Sequence, residues 1–376
     1  MKIRQVDLIS QYDNIRQEID EAVLCCIRSG EYINGKEVAT FAENLASYTG
    51  AKHVIPCANG TDALQIALMA LNLQPGDEVI VPTFTYIASA EVIALLRLVP
   101  VLVDVDSQTF NLDIEKFKNA ISDKTKAVIP VHLFGQTCDM HPILDICKQY
   151  FIYVVEDNAQ SIGSNYLFSN GEKKQAGTIG DIGTLSFFPS KNLGCYGDGG
   201  AMLTNNEFLA NGLSMISSHG QSQKYHHDVV GCNSRLDTLQ AAILNIKLKY
   251  LDKYTKARQQ AAEYYTKQLQ MLDDYIILPY SAEYSTHVYN QYTIQIKENK
   301  RDELKQFLWD KDIPSMIYYP LPLHHQKAFK DIIRIGSDLT QSEQLCQSVL
   351  SLPMHTELNM KQQDYIIESI KQFFNS

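Results

Sequence analysis

The chain has 376 residues, too many for one compact core and suited to a large domain with a smaller one beside it. Hydrophobic residues make up 45% and charged residues 20%, a globular balance that excludes general disorder. The net charge of −10 disfavours a nucleic-acid or anionic-membrane binder, since both need a basic surface, yet leaves room for a few local cations to hold a phosphate.

In chain order, residues 11–29 read as an N-terminal helix. From about residue 50 to 205, short runs rich in Val and Ile alternate with helix-like segments. Strands are predicted at 53–57, 78–82, 100–106, 127–134, 152–156, 184–188 and 200–204, with helical apolar spacing over 61–73. Such alternation implies right-handed crossovers and a mostly parallel sheet covered on both faces, an α/β architecture with ligands at the carboxyl ends of the strands. Residues 236–269 run without Gly or Pro and predict one long helix leading out of this unit. Beyond it, 289–296 alternates like a strand, 302–309 is helical, 315–319 is extended, and 341–351 and 360–374 are helices. The expected organisation is a large domain over residues 1–250 and a smaller α+β domain over 251–376.

Eight scattered cysteines, with Cys25 and Cys26 adjacent and no CxxC pair, are neither a disulfide framework nor a zinc-ligand pattern, so no metal is expected. The opening Met1-Lys2-Ile3-Arg4-Gln5 lacks the apolar run of a signal peptide, and no apolar stretch approaches transmembrane length. The expected location is the cytoplasm, with no membrane and no nucleic-acid partner.

The strongest chemical signal is Ser186-Phe187-Phe188-Pro189-Ser190-Lys191, followed by a glycine-dense turn through Gly200. A lysine at the mouth of a sheet loses its proton more easily when partly desolvated, which suits it to condensation with a carbonyl. The glycines would let the backbone approach a flat ligand. A lone lysine here would read as a solvated turn; its companions change that. Val154-Val155-Glu156-Asp157-Asn158-Ala159-Gln160 is an apolar strand ending in two carboxylates. An aspartate there can pair with a protonated pyridine nitrogen, or equally cap a helix. Cys57-Ala58-Asn59-Gly60-Thr61-Asp62 is a strand, a turn and a helix start, whose free N–H groups can cradle a phosphate or be ordinary capping. Pro82-Thr83-Phe84-Thr85-Tyr86 places aromatics at a strand end, as core or as a stacking platform. Two motifs are set aside. Gly30-Glu31-Tyr32-Ile33-Asn34-Gly35-Lys36 opens like a P-loop but continues with Glu37 and follows a helix. Tyr225-His226-His227 has no evident third metal ligand.

With these segments together, the chain closely resembles the DegT/DnrJ/EryC1/StrS family of sugar aminotransferases, over nearly its whole length. The resemblance implies the fold-type I, aspartate aminotransferase-like architecture and pyridoxal 5'-phosphate (PLP) as cofactor. It implies that Lys191 bonds to the cofactor and carries the proton between cofactor and sugar. Asp157 would pair with the pyridine nitrogen, Gln160 would lie near the ring hydroxyl and Tyr86 would stack on the ring. Gly60, Thr61 and Ser186 would hold the phosphate, and Asn233 would reach the cofactor phosphate of a neighbouring subunit in a homodimer with shared sites. Arg235, Tyr318, Tyr319 and Tyr32 are the implied substrate contacts.

The implied reaction takes nitrogen from L-glutamate and gives it to a nucleotide-linked keto sugar in surface polysaccharide biosynthesis. Phe187-Phe188-Pro189-Ser190-Lys191, Tyr225-His226-His227 and Asn233-Ser234-Arg235-Leu236-Asp237 are similar to enzymes that aminate UDP-2-acetamido-2-deoxy-3-oxo-glucuronate at C3. Those relatives carry His-Tyr-Pro where this chain has Tyr318-Tyr319-Pro320, which keeps a 3-keto or 4-keto 6-deoxy sugar open. A dehydratase branch has His at the lysine position, and Lys191 argues against it. A PLP-binding regulator without catalysis is the reading of another class; residues 1–50 show no basic helix-turn-helix to support it.

Overall fold

The computed structural model describes residues 2–375; Met1 and Ser376, the outer limits of the two expected domains, lie outside the described residues. Eight strands form the main sheet: β1 (His53–Cys57), β2 (Glu78–Pro82), β3 (Val99–Val103), β4 (Thr125–Val128), β5 (Tyr153–Asp157), β6 (Ile182–Ser186), β7 (Gly200–Thr204) and β8 (Arg334–Ile335). Their spatial order is β1-β7-β6-β5-β4-β2-β3-β8. Only β7 runs antiparallel to its neighbours, so β1, β2, β5 and β6 all end at the same edge. That common edge is where loops can assemble a site.

Alternation along the strands fills both faces. Val79, Val81, Val155, Ile182 and Met202 face helices α3 (Gly60–Ala70), α4 (Ala88–Leu95) and α7 (Glu207–Ser217). Ile80, Val101, Val128 and Val154 face α5 (Ile114–Asn119) and α6 (Met140–Tyr150). Leu185, Ala201 and Leu203 meet α2 (Lys36–Thr49) and α8 (Thr238–Lys249). The N-terminal helix α1 (Leu8–Ser29) starts three residues earlier than the apolar pattern predicts, because Asp7 caps it by accepting from the Ser10 N–H at 3.1 Å.

Three expectations need correction. The single helix over 236–269 is two, α8 and α9 (Leu251–Leu269). Between them Tyr250, at φ −101° and ψ −3°, interrupts the regular helix, its hydroxyl bonded to Glu18 on α1. The predicted helix over 341–351 stops at Ser348. Val349–Leu352 is a strand instead, paired antiparallel with Tyr292–Ile296, which in turn pairs with Ile276–Ile277. The strand predicted over 127–134 ends at Val128 and gives way to a 3-10 turn at Leu133–Gly135. Helices α10 (Arg301–Asp310) and α12 (Met360–Asn375) pack with α9 on the three-stranded sheet. The C-terminal portion also reaches into the main core, where Leu323, Phe329 and Leu345 are buried against strand and α4 side chains.

Asp104, at the end of β3 and wholly buried, ties these parts together. It accepts from the Gln341 and Ser342 N–H groups of α11 (Thr340–Ser348) at 2.9 and 2.8 Å and from Lys116 Nζ at 3.0 Å. Asp104→Ala leaves those donors without an acceptor, and chemical denaturation should show a loss of about 2–4 kcal/mol.

Candidate active site

Four loops leave the common sheet edge and meet. The β1–α3 turn brings Gly60 and Thr61, the segment after β2 brings Tyr86, β5 ends on Asp157, and β6 ends on Ser186, with Lys191 in the loop that follows. Asp157 and Thr184 are register partners across β5 and β6, which fixes the aspartate beside the strand that delivers the lysine. Lys191 keeps part of its surface exposed, but its amine is desolvated. Burial pulls its pKa below the ordinary 10.5, and the Asp157 carboxylate pulls it partly back up.

The two carboxylates at the end of β5 point to opposite faces and serve different ends. Glu156 is saturated: it accepts from the N–H groups of Gly177, Ile179 and Gly180 at 2.8, 2.7 and 2.6 Å and from His132 Nε2 at 2.8 Å. His132 Nδ1 in turn accepts from the Cys138 N–H at 3.0 Å, so the proton of this imidazole sits on Nε2. Asp157 faces the lysine. Its Oδ2 accepts from Ser89 Oγ at 2.7 Å and its Oδ1 from the Ala159 N–H at 3.2 Å, which anchors the carboxylate and leaves lone pairs for a cationic partner.

At the start of α3, Asn59 satisfies two of the first-turn donors: its side chain accepts from the Asp62 N–H at 2.8 Å and its carbonyl from the Ala63 N–H at 3.1 Å. The N–H groups of Gly60 and Thr61 remain, at the positive end of the helix dipole. A Cβ on Gly60 would stand 2.7 Å from Ser186 Cβ, so the Ser186 hydroxyl lies against this turn. These three residues can together seat a dianion.

Gln160 takes a position that strand spacing alone does not give. Its Oε1 accepts from the Phe134 N–H at 2.8 Å, where Phe134 holds a left-handed φ of 57°, and its Nε2 donates to the Tyr319 hydroxyl at 3.2 Å. Tyr319 is packed with Phe84 and with the exposed ring of Tyr86, whose centroid is 6.3 Å away. Burial raises the pKa of the Tyr319 hydroxyl, Gln160 lowers it, and the nearby Asp157 charge raises it again. Tyr319 therefore belongs to the same group as Asp157 and Gln160, with Tyr318 beside it at 5.9 Å between rings.

Other predicted residues stand apart. Asn233 is exposed, bridged to Ser218, next to Ser234, whose hydroxyl accepts from the Ala58 N–H at 3.1 Å. Tyr32 is exposed, with its hydroxyl donating to the Ile27 carbonyl at 3.2 Å. Arg235 is half-buried and makes no ion pair among the described residues. Within the glycine-dense turn, a Cβ on Gly194 would meet the Pro189 carbonyl oxygen at 2.3 Å, and one on Gly200 the Asn59 carbonyl carbon at 2.5 Å. The protein's own backbone makes these close approaches.

Ser89, Asn192 and Asn290 are missed by sequence reasoning. Asn192 donates to the Val288 carbonyl at 3.0 Å and accepts from Asn290 Nδ2 at 3.1 Å, pinning the residue after Lys191 to the 288–290 segment. Asn192 follows the lysine directly, which was its one available signal; Ser89 and Asn290 carried none.

The sequence profile of the DegT/DnrJ/EryC1/StrS aminotransferase family matches residues 13–371. The chain belongs to this family. A pleiotropic regulatory protein of Geobacillus stearothermophilus is 44% identical, covering 100% of this chain and 99% of that one. A UDP-2-acetamido-2-deoxy-3-oxo-D-glucuronate aminotransferase of Pseudomonas aeruginosa is 43% identical, covering 95% of this chain and 96% of its own. The solved structure of a DegT DnrJ EryC1 StrS aminotransferase from Brucella abortus superposes with a TM-score of 0.94 at 40% identity, each chain covered in full. The protein is thus a sugar aminotransferase of fold-type I architecture, dependent on PLP. Its residues fit that cofactor: a desolvated amine next to a carboxylate, with two N–H groups unengaged among the described residues and a hydroxyl nearby to take a phosphate.

Because burial lowers the Lys191 pKa, the apoprotein amine should be deprotonated at a pH below that of an ordinary lysine. Labelling of Lys191 by a small amine-reactive reagent, followed by peptide mass spectrometry, should rise with pH to a midpoint under 10.5. Asp157→Asn removes the charge that raises it, so the midpoint should move lower still. Separately, Ser89→Ala should weaken PLP binding about tenfold, read by titration of the apoprotein, through loss of a hydrogen bond to a charged acceptor.

Proposed function

We propose that the aminotransferase moves nitrogen from L-glutamate to the C3 keto group of UDP-2-acetamido-2-deoxy-3-oxo-D-glucuronate, for bacterial surface polysaccharide. The observation that carries the chemistry is the desolvated Lys191 amine beside the Asp157 carboxylate. When bound, PLP supplies an aldehyde and an electron-withdrawing ring. Lys191 holds the cofactor and then moves the proton at the reacting carbon. Asp157, fixed by Ser89, keeps the ring nitrogen protonated. Gly60, Thr61 and Ser186 bind the phosphate, Tyr86 covers the ring, and Gln160 orients its hydroxyl edge. Arg235 is a guanidinium without a carboxylate partner of its own among the described residues, and its planar fork matches a uronate carboxylate. Tyr318 and Tyr319 line the sugar pocket from the same chain.

Support for the uronate comes from the Pseudomonas aeruginosa relative's name. A neutral deoxysugar is the second reading, favoured by Tyr318 in place of histidine and by a 39% identical relative named for a dTDP-3-amino-3,6-dideoxy-galactopyranose. We further propose a homodimer in which Asn233 and Tyr32, both exposed on the single chain, complete the partner's site. The eight free cysteines support a cytoplasmic location. The boundary between the larger and smaller domains lies near residue 250, at the break between α8 and α9, and the 323–345 segment of the smaller one returns to the main sheet through β8.

Purified protein with L-glutamate and a panel of nucleotide keto sugars should yield the amino uronate fastest, and absence of any amino sugar would refute the reading. Lys191→Ala should cut turnover by about 10³-fold or more while leaving the fold intact by circular dichroism. Arg235→Gln should lower kcat/KM for the uronate about 10- to 100-fold and leave neutral sugars unchanged. Equal loss on both substrates would favour the neutral sugar.

A further inference from the structure

Away from Lys191, the short turn at Leu323–His325 brings two adjacent imidazoles onto one carboxylate. His324 Nε2 lies 3.1 Å from Glu343 Oε1, and His325 Nε2 lies 3.4 Å from the same oxygen. Ligand atoms of all three residues fall within 4.8 Å of one another. Neighbouring side chains on an extended chain point apart; the 3-10 turn is what lets both rings face α11. An ordinary histidine–carboxylate contact needs only one of them.

We propose that His324, His325 and Glu343 form a binding site for a first-row divalent cation of the zinc type, with an open fourth position facing solvent. Tetrahedral coordination with ligand distances of about 2.0–2.1 Å sets neighbouring ligand atoms about 3.3 Å apart. The two nitrogen–oxygen separations, 3.1 and 3.4 Å, bracket that edge, and His325, half exposed, can swing to close the remaining one. Two imidazoles with one carboxylate select a borderline metal over magnesium or calcium, which take oxygen ligands. The outer support that ligating histidines need is also built: His324 Nδ1 is 2.9 Å from the hydroxyl of Thr83, a residue with no exposed surface. That bond fixes the His324 ring and leaves Nε2 toward Glu343. Entry is open, since Glu343 and His325 are each about half exposed.

The location gives the site a structural consequence. The Leu323 N–H donates to the Thr83 carbonyl at 3.0 Å, and the chain from Thr83 runs directly to Tyr86. A bound ion would clamp the 323–325 turn to α11 just behind that segment. Glu343 follows the two histidines by 19 and 18 positions, a spacing outside the usual metal-ligand patterns.

The test is titration of the metal-stripped, PLP-loaded enzyme with Co²⁺, whose four-coordinate complexes absorb strongly in the visible to the red of PLP. One equivalent should produce a saturable band that Zn²⁺ displaces, and Zn²⁺ should raise the melting temperature. In His325→Leu, and independently in Glu343→Gln, Co²⁺ affinity should fall at least tenfold, with the cofactor's own absorption and circular dichroism unchanged. A wild-type enzyme with no saturable Co²⁺ band, or variants that keep it undiminished, would overturn the site.

Discussion

Everything in the site follows from holding one amine in a desolvated place next to one carboxylate. Water would keep the Lys191 amine protonated and idle; burial removes that stabilisation, and Asp157 limits how far the effect goes. Two parallel strands set the arrangement. With Asp157 opposite Thr184 in the β5–β6 register, a slip of one residue would turn the aspartate to the opposite face of the sheet and put Glu156 in its place. The network that saturates Glu156, from three N–H groups and His132, opposes such a slip, since it would leave a buried carboxylate without donors.

Around that pair the fold supplies rigidity from two directions. From the sheet edge, α3 offers its N-terminus and β6 its Ser186, in contact through a glycine that leaves no room for a side chain. From the C-terminal portion, the 288–290 segment grips Asn192, and Tyr319 reaches Gln160 and the Tyr86 ring. The sheet core is therefore not separable from the later elements: Leu323, Phe329 and Leu345 are buried in it, and Asp104 holds α11 against β3. A change that loosens the C-terminal elements would reach the cofactor site through these contacts.

Much of the large sheet could be read from the chain. Runs such as Val79-Ile80-Val81 are buried on both faces, and such runs announce a parallel strand whatever packs on them. Lys191, Asp157, Gly60 and Ser186 are legible for a related reason: Asp157 and Ser186 end strands, and Gly60 and Lys191 follow strand ends by three and five residues, so linear spacing reports spatial convergence. What could not be read depends on contacts between distant residues. Tyr250 breaks a helix because its hydroxyl finds Glu18. Val349 leaves helical geometry because Tyr292–Ile296 offers a strand to pair with. Ser89, a small polar residue in an apolar helix, becomes informative only once Asp157 is known to lie against it. Two of the glycines after Lys191, Gly194 and Gly200, are also required by the protein's own backbone, at Pro189 and Asn59, which no linear spacing announces.

The central claim is that Lys191 and no other lysine carries the cofactor. Borohydride reduction of the PLP-loaded enzyme, followed by digestion and peptide mass spectrometry, tests it most directly. The account predicts the phosphopyridoxyl group on the peptide containing Lys191, and on no other peptide, at one per chain. The label on a different lysine, or its absence from an enzyme that turns over, would contradict it.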